Sequence, residues 1–305
     1  MKGAFKNSSI LVQLLMFIVV IIAGFVATNF LSSVLIMMKF GASLKVLQDV
    51  MQNLVNYPGL MRELQLLQVL GIFIFPAIIC AWLFSDNYRD YLQIDVPICF
   101  PVMGLTILSV LVAVPFLNLT YRINQQMIFP EYLKSLEEWM RNTEENTNKI
   151  SEKILYVRNI WDFVLNILII CVLTGIGEEF TFRGILQNLF GKVVRNHHLI
   201  IWIVAIIFSA VHFQFYGFVP RMLLGAYLGY LLYYTKNIWV PVLAHFTNNC
   251  FSVVCYFIFQ DNPEKIEDAD AIGYGSTLWL SVVSLVLFIF IFRQIKIRSE
   301  RENPC

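Results

Sequence analysis

The sequence predicts an all-α polytopic membrane protein with about eight transmembrane helices. Composition is the first reason: 58% of the 305 residues are hydrophobic and 14% are charged, where a soluble domain carries roughly 45–50% and 25%. An apolar excess of that size can be solvated only by lipid over much of the chain. Segmentation is the second. A spanning helix takes about 20 mainly apolar residues, and runs of that kind fall at 9–38, 64–84, 98–118, 160–190, 198–215, 218–236, 237–259 and 277–293. The chain divides accordingly. Residues 1–155 hold N-terminal spans and a polar excursion, 156–260 form a core with polar groups inside the membrane, and 261–305 hold a polar loop, a last span and a basic tail.

Lys2 and Lys6 precede the first run, as in a signal peptide. The run outlasts an h-region and passes Asn29 to Met38 without a small-residue cleavage site, so it reads as a retained anchor. After the runs at 64–84 and 98–118, Tyr121 to Arg158 is polar. Glu137, Glu138, Arg141, Glu144, Glu145 and Lys149 stand at helical spacings there, which predicts a solvated helical excursion, with guidance of a substrate as the other reading. The fifth to seventh runs are joined so closely that their ends blur. In the sixth, Gly225 and Gly229 form a small-x-x-x-small pattern for close helix packing. The paired repeats that mark many transporters are not apparent. Both tails are basic (Lys2, Lys6; Arg293, Lys296, Arg298, Arg301), while the loop with Asp261, Glu264, Glu267, Asp268 and Asp270 is acidic. Positive residues stay inside, which places both termini there, consistent with an even number of spans.

Several classes are excluded. The 22 Lys and Arg balance 21 Asp and Glu, leaving no basic surface to neutralise a phosphate backbone, so nucleic acid is not a partner. Cys80, Cys99, Cys171, Cys250, Cys255 and Cys305 show no C-x-x-C pair and no zinc-finger spacing. Cys305 is the last residue rather than the fourth from the end, so the chain bears no prenylation signal of its own.

Charged groups deep in a bilayer are costly, and ionisable residues inside apolar runs are therefore functional candidates. Three places qualify. In Gly175-Ile-Gly-Glu178-Glu179-Phe-Thr-Phe-Arg183-Gly184, adjacent carboxylates project about 100° apart on a helix, while Glu179 and Arg183 share a face at i, i+4 and can pair. One carboxylate is neutralised and Glu178 is left free. His212 closes Phe208-Ser-Ala-Val-His212, and His245 and Asn249 share a face in Pro241-Val-Leu-Ala-His245-Phe-Thr-Asn248-Asn249. At 1.5 Å per residue, Glu178 lies roughly 18 Å from the inner end of its helix, His212 roughly 20 Å in from Leu199, and His245 roughly 10 Å in from Ile238. The three can converge at similar depth. A free carboxylate, two imidazoles, an amide and an Arg-paired second carboxylate make up a water-activating hydrolase site inside the helical bundle.

Glu178-Glu179-x-x-Phe182-Arg183-Gly184, Phe208-x-x-x-His212 and His245-x-x-x-Asn249, in this order and spacing, resemble the motifs of the CPBP (Abi) family of intramembrane proteases, named for CAAX-protein and bacteriocin processing. The stretch from Gly225 to His245 is also similar to that family's approach to its last motif, and the resemblance covers residues 160–258. It implies a peptidase in which Glu178 and His212 activate a water, His245 and Asn249 face the oxyanion, and Glu179 and Arg183 orient them. Phe208 is expected to pack. The family has been described as both glutamic and metal-dependent, and two readings follow. Metal-independent water activation, with no cofactor, is preferred, since the spacing lacks an H-E-x-x-H helix. Zinc on Glu178, His212 and His245 is the other. The implied partners are membrane lipids and a peptide or lipidated-protein substrate. A bacterial cytoplasmic membrane is the expected location, with cleavage near or within the bilayer on the cytoplasmic side. Two other classes also place such residues in a membrane: a proton-coupled transporter and a non-catalytic scaffold or regulator of the same family.

Overall fold

A computed structural model describes residues 2–97 and 99–301. Cys305 lies outside the described residues. These form helices and connecting turns, with no strand among them. Eleven helices matter here: α1 (Ile10–Phe40), α2 (Leu44–Gln52), α3 (Pro58–Phe84), α4 (Phe100–Gln125), α5 (Lys134–Leu155), α6 (Ile160–Gly191), α7 (His197–Ala210), α8 (Phe218–Thr235), α9 (Trp239–Phe259), α10 (Pro263–Ala271) and α11 (Leu278–Arg301).

Six of them, α1, α3, α4, α6, α9 and α11, are long and apolar enough to cross a membrane. The molecule is membrane-integral. The expected eight include two shorter helices, α7 with 14 residues and α8 with 18. At 1.5 Å per residue α7 reaches only about 21 Å, short of a hydrocarbon core of about 30 Å. The two form an antiparallel hairpin walled by α6, α9 and α4, where protein rather than lipid sets the length a helix needs. The outer helices show the inverse of a soluble pattern. In α1 the buried residues are Gln13, Phe17, Thr28 and Ile36, while Leu11, Leu15, Ile22, Phe25 and Phe30 are each more than half exposed; polar groups seek the bundle and apolar ones the lipid.

Without a hydrophobic drive between helices in lipid, close approach and interhelical hydrogen bonds set the packing. A methyl on Gly24 of α1 would run into the Gly71 carbonyl of α3, and one on Gly71 into Thr28 of α1, so these helices cross in near-backbone contact. On the other side, α4 continues through Pro115, and two serines of α11 donate across to its carbonyls: Ser281 to that of Pro115 at 2.7 Å and Ser284 to that of Val112 at 2.6 Å.

One end of the bundle gathers the segment before α1 and the end of α11 with the connections before α4, α7 and α9. Lys6 pairs with Asp86 there, Lys192 donates to Gln13 at 2.6 Å, and Asn237 donates to the Val96 and Pro97 carbonyls. The other end carries α2, α5, α10 and the α7–α8 connection. The excursion is helical as expected over α5, but it is not solvated all round. Its Glu144 accepts the Tyr216 amide at 2.6 Å and its Asn148 accepts from Gln214 at 3.0 Å, while Arg62 of α3 donates to the Ile154 and Tyr156 carbonyls. α5 therefore lies over the end of the bundle above the polar core.

Candidate active site

The site is built on α6, α7, α8 and α9. Within α6, α-helical Thr174–Glu179 is flanked by π-helical stretches at Ile167–Leu173 and Phe180–Gln187. Such widened turns recur at functional sites. Both glutamates of this segment turn inward, Glu178 7% and Glu179 0% exposed. The sequence argument separated them onto different faces; in the structure a single imidazole lies between them.

That imidazole is His245. Its Nδ1 lies 2.8 Å from Glu179 Oε1 and its Nε2 3.8 Å from Glu178 Oε2. His212 approaches from the end of α7, its Nε2 also 3.8 Å from Glu178 Oε2. Its Nδ1 stands 2.7 Å from the Phe208 carbonyl, which accepts only from a protonated Nδ1, so in the neutral ring Nε2 carries the lone pair. Glu178 Oε2 is buried and has no hydrogen-bond partner. Just beyond His212, Phe213 adopts a positive φ of 53°, a backbone state that costs a bulky residue about 1–3 kcal/mol and clusters at functional sites.

The remaining motif residues hold this arrangement. Arg183 Nη1 donates to Glu179 Oε1 at 2.8 Å, with both side chains fully buried. Its Nη2 donates to the Gly225 carbonyl at 2.9 Å, and its guanidinium lies 4.5 Å above the Phe208 ring. The i, i+4 pair is present as expected, and Phe208 packs, edge-on to Phe182, His212 and His245. Gly225 and Gly229 allow close contact with Ala205 and Ile201 of α7. They also expose carbonyls to Arg183 and to Gln187, which donates to Gly229 at 3.2 Å. Asn249 faces the cavity and spends one amide hydrogen on the Ile170 carbonyl at 2.9 Å, in the first π-helical stretch. Five of the six predicted residues thus form one connected cluster, and Asn249 lines the cavity beside it.

Two chambers meet at Glu178. A polar cavity of about 400 Å³ lies beneath α5; its walls include Ser151, Glu178, His212, Arg221, His245 and Asn249. An apolar one of about 480 Å³ lies toward α1 and α3, among Phe17, Ile21, Ile72, Phe182, Ile207 and Val211. Gln65, Thr174, Glu178 and His212 line both. The polar chamber is roofed by α5, from the end of the bundle opposite the start of α1. Helix depths counted from the inner ends could not register the roof that α5 supplies.

Residues not singled out in the sequence also shape the site. Gln65 and Thr174 form part of the wall between the chambers. Arg62 holds the helix that bears the glutamates, through Asn166 Oδ1 at 2.9 Å and Asp162 at 3.0 Å. Arg221 enters the polar cavity from the first turn of α8. Its signal was present in the sequence as an arginine at the head of an apolar run, where it reads as a span boundary.

A buried glutamate–histidine cluster between a polar and an apolar chamber is therefore the defining feature of the fold. Residues 160–251, which contain all six of these residues, match the family described as type II CAAX prenyl endopeptidase Rce1-like. Over that segment the chain is similar to the CPBP/CAAX protease family, as the motifs indicated. An uncharacterized protein, YpbD of Bacillus subtilis (strain 168), is 28% identical over 113 residues, which is 36% of this chain and 53% of the relative. The chain thus spans about half the length of that curated relative. No solved structure matches.

Proposed function

We propose that the protein is an intramembrane endopeptidase that hydrolyses a membrane-associated or lipidated peptide. The observation that carries the reading is the buried, unpartnered Glu178 Oε2 faced by Nε2 of both His212 and His245 at 3.8 Å. A water within ordinary hydrogen-bonding distance of that oxygen lies within reach of both rings. Glu178 takes a proton from the water as its oxygen attacks the carbonyl carbon. His212, through its unprotonated Nε2, orients the nucleophile. The tetrahedral oxyanion is received by the free amide hydrogen of Asn249 and by Nε2 of His245, which donates when the ring carries both protons between Glu178 and Glu179. Collapse breaks the C–N bond, and Glu178 returns the proton to the leaving amine, yielding a carboxylate and an amine. Glu179 and Arg183 act as positioning residues, since each touches the imidazole or its anchor rather than the reacting atoms.

The chambers support the substrate class. An apolar pocket beside the scissile position suits a lipid or a transmembrane segment, and a polar pocket on the other side suits peptide backbone. Zinc on Glu178, His212 and His245 is the competing mechanism. Among the described residues no three His, Cys, Asp or Glu side chains are disposed to hold a metal ion. A bacterial cytoplasmic membrane, consistent with the bacterial relative, is the proposed location.

The test is cleavage of a quenched peptide library, farnesylated members included, by detergent-purified protein beside Glu178→Ala and His212→Ala. Cleavage that both substitutions abolish, and that survives exhaustive chelation, is expected. Activity lost on chelation and restored by zinc overturns the metal-free mechanism. Cleavage equal in all three proteins overturns the site assignment.

A further inference from the structure

A further cavity, with none of the six site residues in its walls, lies between α4, α7, α8 and α11. It encloses about 310 Å³ among Ala113, Phe116, Trp202, Tyr227, Leu285 and Phe288. The hydroxyls of Tyr227 and Tyr230 in its wall are spent on Ser109 and on His198. A cavity so lined takes hydrocarbon rather than water. Its rim, at the end of the bundle that holds the start of α1, has the opposite character. Tyr230 and Phe292 line the cavity, and one turn further along their helices stand Tyr234 and Lys296. The Lys296 ammonium lies 4.9 Å over the Tyr234 ring, and that of Lys236 lies 4.5 Å over the Tyr233 ring, on which His197 stacks at 4.1 Å. Lys236 does so from the left-handed position that ends α8, φ 53°, where glycine is the usual residue. His198, Lys236 and Lys296 all act electrostatically on His197, so four basic side chains share one small area. Among the described residues the one acid in ion-pair range of them is Glu300, exposed and 3.9 Å from Lys296.

We infer that an anionic phospholipid of the bilayer occupies this place, its phosphate held by Lys236, Lys296 and the two imidazoles, with one acyl chain lying in the cavity. The site is separate from the peptidase reading and does not depend on it. Charge selects the headgroup: clustered cations at the end of a membrane helix bundle attract anionic lipid, and the protein supplies them with little counter-charge of its own. Length selects the depth. Leu285 to Lys296 on α11 and Leu223 to Tyr234 on α8 are each eleven residues, about 16 Å at 1.5 Å per residue. That is half of a hydrocarbon core of about 30 Å, so a headgroup at the lysines sends its chain through one leaflet along the cavity. A soluble phosphate ester carries the same headgroup chemistry but leaves the apolar cavity empty, which is why the lipid is the occupant.

The test is native mass spectrometry of the delipidated full chain in detergent, titrated with dioleoyl phosphatidylglycerol or dioleoyl phosphatidylcholine, which share chains and differ in charge. For the first lipid bound, wild type is expected to prefer the glycerol lipid about 10- to 30-fold, from two lysines near the surface at about fivefold each. Lys236→Gln/Lys296→Gln should bring the glycerol lipid down to the level of the choline lipid and leave the choline lipid unaffected. A folding defect cannot mimic this, because it lowers both together. Ala113→Phe, which fills the cavity, should weaken both lipids by about tenfold, the equivalent of about two methylenes kept out of an apolar pocket. Should that variant fail to fold, the lysine pair decides alone. Glycerol 3-phosphate in large excess should displace neither lipid. Equal binding of the two lipids by wild type, or a preference that survives loss of both lysines, overturns the headgroup site. Undiminished binding to folded Ala113→Phe overturns the placement of the chain. Displacement of the anionic lipid by glycerol 3-phosphate assigns the cluster to soluble phosphates and also overturns the proposal.

Discussion

Arg183→Met tests whether the buried charge pair holds the site together. In the native protein the guanidinium compensates Glu179 at 2.8 Å, caps the Gly225 carbonyl at 2.9 Å and lies 4.5 Å above Phe208. Methionine fills similar volume but leaves Glu179 buried with His245 as its remaining partner. Breaking a buried pair by removing one member costs about 3–5 kcal/mol. The lost face-on contact with Phe208 contributes about 1 kcal/mol, and the orphaned Gly225 carbonyl costs about 1–3 kcal/mol. These overlap because they share one group, and a net loss of about 4 kcal/mol is expected. In Glu179→Gln/Arg183→Met the uncompensated charge is gone, while Gln can still accept from His245 Nδ1, so the double variant should recover about 2 kcal/mol of the loss. Unfolding by SDS in mixed micelles, followed by tryptophan fluorescence and circular dichroism, measures both. A single variant within 1 kcal/mol of wild type, or a double variant less stable than the single, would refute the reasoning.

Other outcomes follow from the same structure. Burial of Glu144 under the α5–Tyr216 contact raises its carboxyl above the usual range despite the Tyr216 amide it accepts. Its contribution to stability is complete below the unfolded carboxylate range and is lost as pH rises through the higher folded value; Glu144→Gln should flatten that part of the stability–pH curve. Gly24→Val should destabilise by about 1–3 kcal/mol through overpacking against Gly71, whereas Gly59→Ala, with open space around it, should shift stability by less than 1 kcal/mol, both read by the same SDS titration. Single cysteines at Lys6 and at Glu138 in α5 should label from opposite faces of the membrane, with α5 reached from outside intact cells; labelling of Lys6 from outside would invert the topology.

What the sequence disclosed is what period, charge and spacing encode. Apolar run lengths located the long helices, although α3 begins at Pro58 rather than near 64, α4 continues to Gln125 rather than 118 and α11 to Arg301 rather than 293. The shared face of Glu179 and Arg183 survives because i, i+4 contact is local. The π-helical turns of α6 do not show in hydropathy, and they accompany the inward turn of both glutamates toward one histidine. The roof formed by α5 was hidden for a different reason. Its polar surface reads as solvated, and only tertiary contact reveals that Glu144, Asn148 and Ser151 face the bundle. Arg221 escaped notice because a charge at a helix start looks like a boundary until a cavity is found beside it.

The most direct test of the central claim is the rate of hydrolysis of the best library peptide by Glu178→Gln, which preserves shape and removes the base. With unfolding matched to wild type, the account predicts a fall in kcat of about 10²–10⁴-fold, with KM nearly constant and the same bond cut by the residual activity. A Glu178→Gln enzyme that retains the wild-type kcat would contradict it.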